Sequence, residues 1–245
     1  MTASEPPVLA ERKGKILRLC LNRPGSANAI NREVVEALVK GLAEAQAEEE
    51  IGAVVLTGTG GRVFSGGADI KNPDGLDPKA LHEQRRRNTQ AYTGAFLAFD
   101  KPLVVALNGI ASGAGLMLAL HADLIVAAEH AELTLPEIDI GIPTFLAHAL
   151  IAIRLGDAVA NDLALTGRRM PAGEALRLGL LAAVVPAEAL QSEAEARALF
   201  LAAKPREAFR RMKGWILERR RRAVDRAFSA TNALDARAAL AAGRG

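Results

Sequence analysis

The stretch Leu103-Val-Val-Ala-Leu-Asn-Gly-Ile-Ala-Ser-Gly-Ala-Gly-Leu-Met-Leu-Ala-Leu120 decides how this chain folds. With Pro102 it is uncharged and about as long as a membrane span. Asn108, Gly109, Ser112, Gly113 and Gly115 interrupt it near the middle, and His121 and Asp123 follow it directly. It therefore reads as a buried strand, Leu103–Leu107, a turn, and a short buried helix, Gly113–Leu120.

The same grammar recurs on both sides. Ile16–Leu21 and Ala53–Thr57 are short β-branched and apolar runs, the second apolar throughout except for Thr57, as expected of a strand covered on both faces. Asp123–Ala127 and Leu181–Val185 repeat the pattern. Between these runs lie helical segments. One is capped by Asn31 with Val34, Val35, Leu38, Val39 and Leu42 at helical spacing. A second covers Lys79–Phe99, with Arg85, Arg86 and Arg87 expected on its solvent side. Others are expected at 144–154, 161–165 and 172–178. Beyond Ala187 everything reads as helix, broken at Lys204-Pro205. Strands alternating with helices predict an α/β fold with mostly parallel strands over residues 1–186, and a helical C-terminal region over 187–245, with Pro186 at the boundary.

Composition narrows the function. The chain has 245 residues, half of them apolar and 24% charged, enough to bury a large core without staples. A single cysteine, Cys20, excludes an internal disulfide framework and a multi-cysteine zinc site. Four histidines without metal-ligand spacing leave no expected metal. Aromatic residues make up 4%, too few for a base-stacking surface, so no nucleic-acid partner is expected. No secretory core precedes the first charges, and the reading is a cytoplasmic protein without a membrane partner. The net charge is +3, but residues 204–245 hold 12 basic and 4 acidic residues, against 19 and 24 before them. That basic tail fits an anionic ligand, an anionic partner or a solvated helix.

Dinucleotide fingerprints, phosphate loops and nucleophile elbows do not appear. Three features remain. Phe64-Ser-Gly-Gly-Ala-Asp-Ile70 has small residues that let backbone N–H groups approach a ligand. Asn108–Gly115 leads into a helix whose first N–H groups lack helical partners. Leu133-Thr-Leu-Pro-Glu-Ile-Asp-Ile-Gly141 places Glu137 and Asp139 in an apolar run. Each alone has a bland reading as a turn, a tight crossing or a surface carboxylate. Together they suit one kind of chemistry, in which N–H groups hold a carbonyl oxygen as it gains charge while a carboxylate moves a proton at the neighbouring carbon.

On these residues the chain resembles the enoyl-CoA hydratase/isomerase, or crotonase, family. The matching pieces are Leu21-Asn-Arg-Pro24 with Asn28-Ala-Ile30, Phe64–Lys71, Lys101-Pro102, Asn108-Gly109, Gly113-Ala-Gly115, Asp123, Pro136-Glu137 through Gly141, Leu165-Thr-Gly-Arg168 and Gly179-Leu180. They span about Leu17 to Phe228. The resemblance implies a spiral of ββα units and a helical C-terminal oligomerisation region building a homotrimer or a dimer of trimers. It implies a coenzyme A thioester as substrate and no cofactor. Carried over by position, the N–H groups of Ala68 and Ala114 form the oxyanion hole. Ser65, Gly66, Gly67, Asp69, Ile70 and Lys71 line the coenzyme A site, and Gly113 completes the turn.

Two departures follow. Family hydratases carry one glutamate on the helix after the glycine turn and another in the Pro-Glu motif. Here the second is Glu137, while the first position holds Met117, which accepts hydrogen bonds weakly and transfers no proton. A single carboxylate suffices to move a double bond from C3–C4 to C2–C3, so the expectation is a Δ3,Δ2-enoyl-CoA isomerase. The alternatives are a hydratase, with Asp139 as its second carboxylate, another enolate-forming enzyme such as a decarboxylase or hydrolase, and a non-catalytic acyl-CoA binder. Burial should raise the Glu137 pKa. Met117 and Phe145 are acyl-pocket candidates, and Leu116 reads rather as core. The end of the chain, residues 233–245, lacks the aromatic and the lysine that the family turns toward adenine, leaving Arg210, Arg211 or Lys213 as substitutes.

Overall fold

Two facing sets of strands organise the computed structural model, which describes residues 5–71 and 75–242, with side chains through Asp235. The larger sheet contains β1 (Val8–Lys13), β2 (Ile16–Leu21), β3 (Ala53–Gly58), β5 (Leu103–Leu107), β7 (Leu124–Ala128) and β10 (Ala183–Val185), in that order. β1 and β2 form an antiparallel hairpin, and all later pairings in this sheet are parallel. The smaller sheet has the order β4 (Val63–Ser65), β6 (Ile110–Ser112), β8 (Glu132–Thr134) and β9 (Arg169–Pro171).

The chain spirals between the two. β3 and β4 lead to helix α2 (Pro78–Ala98), β5 and β6 to α3 (Ala114–Leu120), and β7 and β8 to α4 (Phe145–Leu155). Each turn leaves one strand in each sheet and then one helix, which is the crotonase-type arrangement of ββα units. The first hairpin, with both strands in the larger sheet, is followed by α1 (Arg32–Ala47), capped as expected by the Asn31 side chain accepting from Val34 N–H at 3.0 Å.

The all-apolar strands are explained by what covers them. Leu103, Val105 and Leu107 join Val54 and Leu56 in the main core, while Val104 and Ala106 join Ala53 and Val55 in a second one. That second core is closed by Leu190, Ala194 and Ala198 of α7 (Leu190–Ala202). A period-2 strand covered on both faces needs apolar residues at every position. The uncharged 102–120 stretch is thereby divided between two sheets and a seven-residue helix. Among the described residues no helix is long and apolar enough to cross a membrane.

α5 (Asp157–Thr166) and α6 (Ala172–Arg177) lead to β10, and α8 (Arg206–Ala242) then runs across the body. Its positive charges correct the reading of the basic tail. Lys213 is 3% exposed, and its Nζ donates to Lys101 O at 2.6 Å and Asp123 Oδ2 at 2.8 Å. Arg220 donates to His121 O and Arg221 to Leu97 O, both at 2.7 Å. Arg154 of α4 donates to Leu120 O and Ala122 O. The C-terminal carbonyls of α2 and α3 thus receive cationic caps. Two of the tail's positive charges, Lys213 and Arg220, are therefore spent inside the fold. Lys213 is not available to adenine, and Arg210 and Arg211 are exposed and pair with Glu207 of their own helix.

Candidate active site

β8 ends at Thr134, and the chain turns through a 3-10 helix, Pro136–Ile140, which carries Glu137. Thr134 O accepts from Gly113 N–H at 3.0 Å, fixing this turn against the start of α3. Gly113 has φ +50° and ψ −118°, a conformation reserved for glycine. A Cβ built there would fall on Glu137 Oε1 and lie 3.0 Å from its Cδ. The carboxylate therefore rests directly on the turn that opens α3.

The carboxylate is partly shut away from solvent. Oε2 is buried with no hydrogen-bond partner among the described residues. Burial raises the Glu137 pKa above its ordinary 4.5, and its own backbone N–H opposes that only in part. Asp139 does not share the position. Its Oδ2 lies 2.9 Å from where a Cβ on Gly167 would stand, at the end of α5. The site has one carboxylate aimed at Gly113.

The opposite wall comes from the loop after β4. Ile30 and Ala68 form a parallel bridge in which Ile30 N–H donates to Gly67 O at 2.8 Å and Asp69 N–H to Ile30 O at 3.0 Å. Alternation along an extended segment turns the N–H of Ala68 to the other side. Gly67, at φ +103°, brings this strand so near α3 that a Cβ on it would be 3.0 Å from Ser112 O and 3.6 Å from Ala114 N. Ala114 is the first residue of α3, so its N–H has no helical acceptor. The expected pair of donors thus comes from neighbouring backbone segments.

The remaining expected residues divide. Ser65 is fully buried, and its Oγ donates to Asn28 O and accepts from Gly67 N–H. It braces the loop and does not line a ligand site. Gly66 uses its N–H on Ala27 O. Asp69 pairs with Arg23 at 2.8 Å and accepts from Lys71 N–H, so its carboxylate too is engaged within the fold. Ile70, 81% exposed, and Lys71 face solvent. Leu116 is core as read, whereas Met117 is half-buried. Phe145 stands exposed at the start of α4 and lines a groove shared with α5 and α8, which does not include Glu137, while Ile138, Ile140 and Ile142 are exposed on and just after the turn that carries Glu137. Pro73 and the side chains of 236–245, where the adenine departure partly falls, lie outside the described residues.

Two residues of the site escape sequence reasoning. Tyr92, buried in α2, brings its hydroxyl to 4.0 Å from Met117 Sδ and lies within the field of Glu137. Arg85, expected at the solvent side of α2, is half-buried and donates to Asp69 O at 3.2 Å. Helical spacing places the two on one face of α2 but does not say what that face meets. No group of three or more His, Cys, Asp or Glu among the described residues is placed to hold a metal ion.

Comparison with known proteins identifies the family. Residues 11–238 match the family model described as Enoyl-CoA hydratase/isomerase. The chain is 34% identical over 225 residues to a probable enoyl-CoA hydratase of Mycobacterium bovis, covering 91% of this chain and 83% of that one. It is 36% identical over 182 residues to the 2,3-dehydroadipyl-CoA hydratase of Escherichia coli, covering 74% and 70%. The crystal structure of an enoyl-CoA hydratase from Bacillus anthracis superimposes with a TM-score of 0.81 at 28% identity, over 91% of this chain and 90% of that one. With a matching fold and a family match over residues 11–238, this chain belongs to the enoyl-CoA hydratase/isomerase family.

Proposed function

We propose that the protein is a Δ3,Δ2-enoyl-CoA isomerase acting through the single base Glu137. The observation that carries this reading is one buried carboxylate resting on Gly113, with methionine one turn along α3 and Asp139 turned toward Gly167. The N–H groups of Ala68 and Ala114 receive the thioester oxygen. Glu137 takes a proton from C2, the electron pair moves into the dienolate, and the negative charge collects on the oxygen between the two donors. The same carboxyl, now protonated, returns the proton at C4 and leaves the double bond at C2–C3. A base whose pKa is raised by burial suits both halves of that exchange. No metal or bound cofactor takes part.

Hydration is the second reading, favoured by the names of the relatives, of which the two cited are hydratases. Water addition must orient a water molecule and move its proton, work that two carboxylates share. Met117 offers a weak acceptor instead. The deciding experiment offers purified protein a 3-enoyl-CoA and a 2-enoyl-CoA. Isomerisation of the first that disappears in Glu137→Gln supports the proposal, and faster water addition to the second refutes it. Tight binding of both without turnover identifies a non-catalytic acyl-CoA binder.

The same reading includes a homotrimer or a dimer of trimers. Supporting it is an apolar patch on α8, where Trp215 is 73% exposed beside Met212 and Ile216. A groove between α4, α5 and α8 adjoins it, lined by Phe145, Trp215, Arg222 and Arg226 among others. A cytoplasmic location is part of the same proposal.

A further inference from the structure

The turn between β2 and α1, residues 23–30, carries the first of the matching motifs, and the chemistry above gives it no work. Its backbone is strained. Ala27 and Asn28 are the non-glycine residues with positive φ among those described, both at +51°. Two such residues in succession need a neighbourhood that imposes them, and strain of this kind gathers at functional sites.

The side chain of Asn28 supplies that neighbourhood. The residue is 2% exposed, and every polar atom of its side chain is engaged. Its Oδ1 accepts from Arg23 N–H at 2.9 Å. Its Nδ2 donates to Thr59 O at 3.0 Å, just after β3, and to Val63 O at 3.1 Å, at the start of β4. Arg23 Nη1 closes the turn on Ala29 O at 2.7 Å.

The loop after β4 hangs on this frame. Ser65 Oγ donates to Asn28 O at 2.9 Å and accepts from Gly67 N–H at 3.2 Å. Gly66 N–H donates to Ala27 O at 2.8 Å, and the bridge to Ile30 takes up Gly67 O and Asp69 N–H. The N–H groups of Gly66, Gly67 and Asp69 are thus tied to residues 27–30, directly or through Ser65. The N–H of Ala68, between them, has no acceptor among the described residues. Gly67 O belongs to the same peptide unit as that N–H. Accepting from Ile30 polarises the unit and makes Ala68 N–H the stronger donor.

An oxyanion donor works by being aimed before the charge develops, and a loop fastened on both sides of one free N–H is aimed. Building on the acyl-CoA reading, in which Ala68 N–H receives the thioester oxygen, we infer that Asn28 and Ser65 are positioning residues of the oxyanion hole. Asn28 holds the turn in its left-handed form. Ser65 passes that form to the peptide that carries Ala68 N–H. Both are buried and act through the backbone.

The test uses Ser65→Ala, which removes one hydroxyl, and Asn28→Gly, which removes the side chain while tolerating the positive φ. The first readout is the infrared carbonyl stretch of bound butanoyl-CoA, isotope-labelled at the thioester carbonyl, a saturated probe that cannot isomerise. Two aimed donors should move the stretch to lower wavenumber in the wild type, and each folded variant should give back part of that shift. The second readout is conversion of 3-enoyl-CoA. There kcat and kcat/KM should fall together by at least about tenfold with KM within about twofold, the pattern of a contact made in the transition state. Deleting a donor outright costs about 100- to 1000-fold. A merely structural role would lower Tm and leave the stretch and the kcat of folded protein unchanged, which overturns the inference, as does a loss confined to KM. Should Asn28→Gly not fold, Ser65→Ala decides. If the wild type binds without isomerising, the isomerase reading fails by itself and the stretch decides. A wild-type stretch that does not move on binding overturns the oxyanion reading and this inference together.

Discussion

Gly113→Ala is the sharpest perturbation of the site, because it adds one methyl group and replaces no reacting side chain. Two effects follow from the geometry. At φ +50° and ψ −118° the backbone is in a region that L-residues rarely enter, at a cost of about 1–3 kcal/mol. The new Cβ would also occupy the place of Glu137 Oε1, with the carboxyl carbon 3.0 Å away, so the carboxylate must retreat by roughly the width of a contact. Displacing a catalytic group by about 1 Å costs on the order of 100-fold in rate. For a chain of this size the backbone strain should lower Tm by roughly 2–12 °C. The assay is conversion of 3-enoyl-CoA, with Tm measured in parallel. Gly94→Ala is the control: a Cβ on this exposed residue of α2 meets nothing within 4 Å, and replacing a helical glycine should stabilise the protein by up to about 1 kcal/mol. If Gly113→Ala kept wild-type turnover within about twofold, the placement of Glu137 against the α3 turn would be irrelevant to catalysis. The single-base reading would fall with it.

Other expectations rest on separate features. Met117→Glu restores a second carboxylate facing the site and should bring measurable water addition to 2-enoyl-CoA; a variant that folds and gains none would show that more than this position separates the two reactions. Burial raises the folded pKa of Glu137 while the unfolded chain titrates near 4.5, so the ionised carboxyl destabilises the fold above that range. The stability gain of Glu137→Gln should accordingly be absent in acid, appear as pH rises through the interval between the two values and persist at neutral pH, as chemical denaturation across pH would show. A gain independent of pH would contradict it. Lys213→Met strands Asp123 beside a missing charge and should cost about 3–5 kcal/mol by denaturant unfolding; a loss under about 1 kcal/mol would mean that the pair holds nothing in place. Trp215→Glu should shift sedimentation from trimer toward monomer, and an unchanged profile would remove that face from the interface.

What the sequence reveals depends on how strongly a residue's surroundings mark it. β3, β5 and β7 are legible because strands covered on both faces must be apolar at every position. β1 is not, since five of its six residues are exposed and show no alternation. β4, β6, β8 and β9 have three residues each, too few to display a period of two, so the second sheet reads as turns. Glu137 is conspicuous as a carboxylate in an apolar run. Tyr92 and Arg85 are not, because a polar helical face reads the same whether it meets water or the rest of the fold. The basic tail misleads for a related reason: Lys213 and Arg220, which cap buried carbonyls, leave the same trace as arginines in solvent.

A physical division of labour explains why one position carries so much of the functional reading. The proposed oxyanion donors are backbone groups of Ala68 and Ala114, set by a β-bridge, by the close approach of Gly67 and by the start of α3. Such a hole depends on the path of the chain and makes no demand on side chains beyond small size. It stabilises any enolate of a thioester, whatever happens next. The choice of reaction then passes to the few side chains that reach the acyl carbons. Glu137 is held by its contact with Gly113, and its proton has only the carbons of the acyl chain to serve if nothing opposite can orient a water molecule. Met117 is the residue that stands opposite, one turn along the helix that supplies an oxyanion donor. A thioether there withholds a second carboxylate, while burial raises the pKa of Glu137. On the proposed reading, the missing second carboxylate and the raised pKa of the one that remains both favour proton transfer between carbons over water addition.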